Sequence, residues 1–382
     1  MLEIISLKSR KFFKKYLLFI IVLVIGTILR LYLASKEYNF DIENFIKTTE
    51  LVLNGKNVYE FQKFYNYSPL YAYILGGIGL LQKHILPFIS LPFLIRAFLT
   101  FIDLITLIPL IKISKLTNRS SIVAVAAFYL NPVSIIITGK HGQFDNIAIF
   151  LLLCATYLLL KNNTLLKSTK LTIWSLLTFT ILIKHIVIFQ VVLLIGRISK
   201  FKHKLFILLM FTILIFVLSF VPFWDKGSMN IIYSVVKYGG IAGSYGVTFI
   251  LNKLCDQCIF GTVSLIYLYK YIFIISSTLF TLFLILKRKA IVYSILISIL
   301  FFMTFTSGIG AQYFVLPIAY GALRSNIFLL FYSLVTFLFL LGSKYEFNFQ
   351  PLQIINWNSV WIVAIIWFCF ELKYLFRKNE EK

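Results

Sequence analysis

Apolar runs of bilayer-crossing length recur from residue 16 to residue 373, at 16–35, 91–114, 120–138, 204–222, 263–286, 289–306, 326–342 and 358–373. A helix needs roughly 20 mostly apolar residues to span the hydrocarbon. Backbone groups left unpaired in lipid are too costly, so only helices or a closed barrel remain available. These runs are continuous rather than alternating, which argues against a barrel and predicts an all-α integral membrane protein. The first run is too long, and its flanks are wrong, for a cleaved leader.

The formal net charge of +23 points first to nucleic acid, but its distribution points elsewhere. Basic residues fall in short clusters between the apolar runs, among them Lys8, Arg10 and Lys11; Lys161, Lys167 and Lys170; and Lys287, Arg288 and Lys289. That is the positive-inside pattern, which predicts cytoplasmic termini and cytoplasmic basic loops, and no nucleic-acid partner. The chain reads as a single polytopic transmembrane domain over 1–382, with its long polar loops outside, at 36–68, 223–262 and 343–357. Three stretches fit a straight span poorly. Residues 69–82 and 313–323 are short and carry Pro69 and Pro317, and 171–197 holds Lys184 and His185 midway. Treating the first two as half-penetrating and the third as a hairpin keeps every basic cluster inside, with about ten to twelve helical segments in all.

Against this background the acidic residues stand out. Of fourteen in the chain, Glu37, Asp41, Glu43, Glu50 and Glu60 all fall in the first external loop. Ile42, Phe45, Ile46, Thr49 and Leu53 share one helical face, which predicts an interfacial amphipathic helix with Asp41 at its start. Asp41 then either acts as a general base or simply caps that helix. Farther on, Lys140-His141-Gly142-Gln143-Phe144-Asp145-Asn146 packs ionisable and amide groups into the external end of an apolar run. Such density favours a binding role over a solvated turn in which Asp145 caps the next helix. Lys184 needs either an anionic substrate group or a structural carboxylate, and His185 beside it fits a satisfied interior histidine equally well. The tyrosines of Tyr65-Asn66-Tyr67-Ser68-Pro69-Leu70-Tyr71 suit an aromatic belt or a sugar-stacking surface. Gln312-Tyr313 leads into the last broken segment. Of four cysteines, Cys154 and Cys369 lie inside apolar runs, and Cys255 and Cys258 form one C-x-x-C in an external loop. One such pair is as consistent with a local disulfide as with coincidence.

Taken in order, the acidic pair, Tyr67-Ser68-Pro69-Leu70 and His141-Gly142-Gln143-Phe144-Asp145 resemble the GT-C superfamily of multi-spanning glycosyltransferases. The second motif is similar to a Tyr-Pro-Pro-Leu stretch. The third is similar to the His-Phe-Gln-Tyr-Asn of the dolichyl-phosphate-glucose-dependent glucosyltransferases and to the Gly-Gln-x-Asp of bacterial and archaeal mannosyltransferase-like relatives. Gln312 through Pro317 resembles an Arg-Tyr-x-x-Pro stretch without its arginine.

The resemblance implies a GT-C-like bundle with short interfacial helices in its external loops. It also implies transfer of a hexose, mannose or glucose, from a polyprenyl-phosphate carrier to an acceptor hydroxyl on a glycan, lipid or protein. Asp41 would be the general base, with Glu43 beside it. Lys184, His141, Lys140 and His185 would be candidates for the donor phosphate, and Gln143, Asp145, Tyr67, Tyr71, Gln312 and Tyr313 for the substrate. Inversion at the anomeric carbon requires no cofactor, and a divalent metal such as Mg or Mn is optional. The active site would face the outside of a prokaryotic plasma membrane or the lumen of an endoplasmic reticulum. A transporter or flippase for lipid-linked sugars or a polar solute is the competing expectation, since broken helices and buried ions suit both.

Overall fold

The computed structural model describes residues 2–63, 65–161, 166–198, 202–236, 240–254, 262–324, 326–344 and 346–376. Cys255, Cys258 and Gly239 lie outside them. The described residues are almost entirely helical, and their one strand-like feature is an isolated antiparallel bridge between Ile241 and Ile309. This is an all-α membrane protein. Among the described residues, five helices are long and apolar enough to cross a bilayer: Tyr16–Ala34, Leu91–Leu116, Phe206–Val235, Leu265–Lys287 and Trp357–Phe376. A sixth span forms if Ser121–Tyr129 and Pro132–His141 are counted together across their 47° bend. Ile291–Phe305 and Ile327–Gly342 are shorter apolar helices. The helical pieces outnumber the ten to twelve expected, because broken spans and the polar connecting segments contribute short helices of their own.

The N-terminal half builds the site. Helix α1 (Leu2–Ala34) leads to α2 (Phe40–Leu53), the amphipathic helix anticipated in the first loop. The Asn39 side chain caps α2 by accepting from the Ile42 amide at 3.2 Å, which leaves Asp41 free for other work. After a single turn, α3 (Val58–Phe61), the chain enters α4 (Pro69–His84), whose Pro69 sits where a helix has no use for an N–H. Residues 69–84 thus form a continuous helix packed on the buried face of α2. A Cβ at Gly79 would lie 2.4 Å from Thr49 Cγ2, so the glycine sets how closely the two helices approach.

Helix α5 (Leu91–Leu116) is the central span, with Arg96 and Asp103 both buried. Next come α6 (Ser121–Tyr129) and α7 (Pro132–Ile136). Pro132 prevents the first from running on, and Asn131 starts the second by accepting from the Val133 amide at 3.1 Å. A single π-helical turn over Ile137–His141 follows, and Gly142 ends it in the left-handed region at φ +69°. Helix α8 (Asp145–Lys161) returns alongside α5, and α9 (Lys167–Ile183) packs on α8. Between α9 and α10 (Ile188–Ile198) the helix breaks at Lys184, whose backbone is extended.

The C-terminal half starts with α11 (Lys202–Leu218) and α12 (Trp224–Ile231). The two external segments expected as separate loops interlock here. Asn57 Nδ2 donates to Phe223 O at 3.1 Å, and Asn230 Nδ2 donates to Tyr59 O at 2.7 Å. Helices α13 (Gly246–Leu254), α14 (Thr262–Lys287) and α15 (Ile291–Phe305) precede a 3-10 turn at Ala311–Val315 that runs into α16 (Leu316–Arg324). Helices α17 (Ile327–Gly342) and α18 (Trp357–Phe376) complete the chain. Exposed apolar side chains such as Ile28, Phe211, Tyr271, Ile275 and Phe331 lie along the outer helices, the surface a bilayer would cover.

Candidate active site

Two stretches far apart in sequence meet at the π-turn. Asp41, in the first turn of α2, hydrogen-bonds His141 Nε2 through Oδ2 at 2.7 Å. The other ring nitrogen, Nδ1, bonds Glu346 Oε1. The imidazole is therefore clasped between two carboxylates of different accessibility: the Glu346 side chain is 1% exposed and that of Asp41 is 35% exposed. Asp41 is the member of this trio that a dissolved or membrane-borne molecule can reach.

Gly142 makes the trio possible. A Cβ there would meet Ile42 Cδ1 at 2.3 Å and Arg96 Cγ at 3.1 Å, so a larger residue would have to displace the side chains that pack α2 and α5 against the turn. Its positive φ lets the chain turn sharply, carrying Gln143 and Asp145 back beside the ring.

Next to the trio lies a buried ion pair. Lys184, at the helix break, donates from Nζ to Asp145 Oδ2 at 2.9 Å, and both side chains are at most 2% exposed. The ammonium also faces the rings of Phe144 at 4.6 Å, Tyr67 at 4.8 Å and Tyr313 at 5.6 Å. A lysine this deep needs such an arrangement, a carboxylate and aromatic faces replacing the lost water. Asp145 keeps its second oxygen, Oδ1, without a protein partner, and Glu346 keeps Oε2 the same way.

Charge in this cluster acts on Asp41. Burial pushes its carboxyl up. The hydrogen bond and charge of His141, the neighbouring Gln143 amide and the charge of Lys184 together outweigh that, holding it below its ordinary value of 3.8. Asp41 is thus a carboxylate at neutral pH.

The remaining predicted residues divide clearly. Gln143 is buried, and its Oε1 accepts from Tyr67 Oη at 3.4 Å. Tyr71 is fully buried and stacks on Phe144 at a centroid distance of 3.4 Å, so it forms the floor of the aromatic cluster. Lys140 places its ammonium 4.9 Å from the Phe347 ring, beside Glu346. Gln312 and Tyr313 are buried in the 3-10 turn. Two residues are not brought to the trio. Glu43 points to solvent and pairs with Lys47 at 2.8 Å, one helical turn along α2. His185 lines a separate cavity of 390 Å³ with Phe189, Lys270, Phe273, Thr306 and Tyr313. Tyr313 is the side chain shared by this cavity and the Lys184 cage.

Sequence reasoning missed Glu346, which lies in the polar stretch 343–357 without a motif around it, and the buried pair Arg30 and Asp103. Those two carried a usable signal: Arg30 is the one charge in the run 16–35, and Asp103 is the one acidic residue in the run 91–114. Among the described residues, no group of three or more His, Cys, Asp or Glu side chains is arranged to hold a metal ion. In the trio itself, both ring nitrogens of His141 are already taken by carboxylates.

The chain matches no protein-family model and no curated protein.

Proposed function

We propose that the protein is a membrane glycosyltransferase of the GT-C kind, moving a hexose from a polyprenyl-phosphate carrier to an acceptor hydroxyl, with Asp41 as general base. The observation that carries this reading is the difference in exposure within the Asp41–His141–Glu346 trio. One ionised carboxylate faces outward while the imidazole behind it is anchored by a buried one. A carboxylate so held has a fixed position and is ionised before the acceptor arrives, ready to take up its proton as a general base does.

In this mechanism the acceptor hydroxyl approaches Asp41 Oδ1 or Oδ2 and attacks the anomeric carbon. The C–O bond to the carrier phosphate breaks, the configuration inverts, and the hydroxyl proton passes to Asp41. The departing phosphate takes the electron pair, and nearby cationic charge lowers the cost of its formation. Lys184 is already neutralised by Asp145, so its contribution is to the local field rather than as an unpaired ligand. The adjacent cavity supports the same reading. Its walls are mostly apolar, with Lys270 supplying an ammonium and Thr306 a hydroxyl, a lining suited to an amphiphile with an anionic head.

The test uses purified protein in nanodiscs. Polyprenyl-phosphate-mannose and -glucose, radiolabelled in the sugar, are offered separately with a lipid extract of the host, to wild type and to Asp41→Asn. Label passing to a new product with wild type alone is the expected result and names the sugar. Sugar retained on both donors by folded wild type, with transbilayer movement of the donor in proteoliposomes, would replace this reading with transport.

A further inference from the structure

The Arg30–Asp103 pair lies deep in the bundle and touches none of the trio, yet it is the most fully bonded polar group in the N-terminal half. Arg30 Nε donates to Asp103 Oδ2 at 2.8 Å. One terminal nitrogen donates to Gly26 O at 3.1 Å and Tyr129 O at 2.7 Å, and the other to Ser134 Oγ at 2.7 Å. The guanidinium also sits 4.3 Å from the centre of the Tyr129 ring. A buried ion pair is weak evidence for stability, because well-packed apolar side chains would hold helices together as well; its better-attested use is to specify one arrangement.

The remaining bonds of Asp103 indicate which arrangement. Oδ2 also accepts from Thr138 Oγ1 at 2.7 Å, and Oδ1 accepts from Asn146 Nδ2 at 3.2 Å. Asn146 Nδ2 donates in addition to Leu99 O at 2.9 Å, one turn back along the same helix as Asp103. Thr138 lies inside the π-turn three residues before His141, and Asn146 directly follows Asp145. One carboxylate therefore ties down both ends of the segment that carries His141, Gln143 and Asp145.

The π-turn itself is pressed against α1. A Cβ at Gly139 would lie 2.7 Å from Arg30 O, so α1 and the turn touch backbone to backbone. A π-turn holds one residue more than an α-turn and changes the direction of every side chain after it. Such turns are rare and need local support.

We propose that Asp103 is a positioning residue. By bonding Thr138 and Asn146 with its two oxygens, while Arg30 holds it in place, it keeps the π-turn in register and sets His141 against Asp41. The inference rests on the reading of the His141–Asp145 segment as the active site.

The test follows the histidine ring directly, so that it does not depend on knowing the substrate. The chain has four histidines, few enough for ¹⁵N-histidine NMR of the full-length protein in nanodiscs, assigned by single replacement. Asp103→Asn would leave Arg30 without its counter-charge and risks misfolding, so the principal variant is Thr138→Val. It removes one strap and leaves the ion pair intact. Thr138→Ser restores the hydroxyl.

The expected result is a shift of the His141 ring signals in Thr138→Val, unchanged His84 and His185 signals, and recovery in Thr138→Ser. Where transfer is measurable, kcat should fall roughly tenfold to a hundredfold with KM unchanged, as expected for a misplaced catalytic group. His141 signals identical in wild type and Thr138→Val, whatever the change in thermal stability, would overturn the proposal. Absence of transfer in wild type would count against the glycosyltransferase reading and leave the NMR result to decide this one.

Discussion

Asp41 and His141 stand one hundred positions apart in the chain and 2.7 Å apart in the fold, with the imidazole bridging Asp41 to the buried Glu346. This relationship makes Asp41 the residue to change first. Asp41→Asn keeps the size and hydrogen-bonding shape of the side chain but removes its capacity to take a proton. The transfer rate should fall by about 10²–10⁴-fold, with donor-lipid binding nearly unchanged and only a small drop in the unfolding midpoint from the lost charge pairing with His141. Sugar-transfer assays alongside a detergent-solubilised melting curve would check it.

Glu346→Gln tests the anchor behind the ring. A neutral amide can still bond the imidazole but no longer balances its charge. The rate should fall by less than in Asp41→Asn, and stability should drop by about 1–3 kcal/mol for the poorly satisfied buried group. The same two assays distinguish the variants by the ratio of the two effects.

The pH dependence follows from the direction of the Asp41 shift. Its folded-state carboxyl lies below its ordinary value of 3.8. Its ionised form, and the stability gained from pairing with His141, are therefore present above that value and lost as pH falls through the lowered one. Replacing His141 with asparagine removes the principal lowering influence and leaves burial, which raises it. The acid limb of the rate profile should then move to higher pH than in wild type, a comparison made by measuring transfer from below pH 3.8 to neutral pH.

The Lys184–Asp145 pair invites a double-mutant cycle. Lys184→Met alone leaves a buried carboxylate without its cation and should cost about 3–5 kcal/mol. Adding Asp145→Leu should recover most of that stability but not the rate, because the aspartate's unpartnered Oδ1 and the local field are both lost. A loss in the double variant equal to the sum of the losses in Lys184→Met and Asp145→Leu measured singly would show that the pair does not couple.

Gly142→Ala addresses the turn. A methyl group at φ +69° carries backbone strain of about 1–3 kcal/mol, and here it also strikes Ile42. Loss of both stability and rate is expected, with partial recovery when Ile42 is shortened to alanine to make room. Circular dichroism melting of the single and double variants would measure it.

Much of the fold was legible in the sequence, because the bilayer restricts the choices so severely. Continuous apolar runs have to become helices, and α2 appears where Ile42, Phe45 and Thr49 share a face. Part of the site was legible as well: Asp41, His141, Gln143, Asp145 and Lys184 were each marked by polarity in an apolar setting. Their roles relative to one another were not. Asp41 had an equally good reading as a helix cap until Asn39 proved to hold that position. Glu43 had the same local credentials as Asp41, but two residues along a helix turn a side chain far around the axis, and it faces solvent beside Lys47.

The sequence by itself determined that this chain is an all-helical membrane protein with chemistry-bearing residues gathered at a few helix ends. Those properties follow from hydropathy and spacing, which are local. Only the tertiary structure decided that His141 lies between Asp41 and Glu346, that Lys184 is spoken for by Asp145, and that Asp103 reaches both Thr138 and Asn146. These pairings join segments as much as 205 residues apart. They depend on how helices pack and where a π-turn meets α1 backbone to backbone at Gly139, which no local pattern encodes.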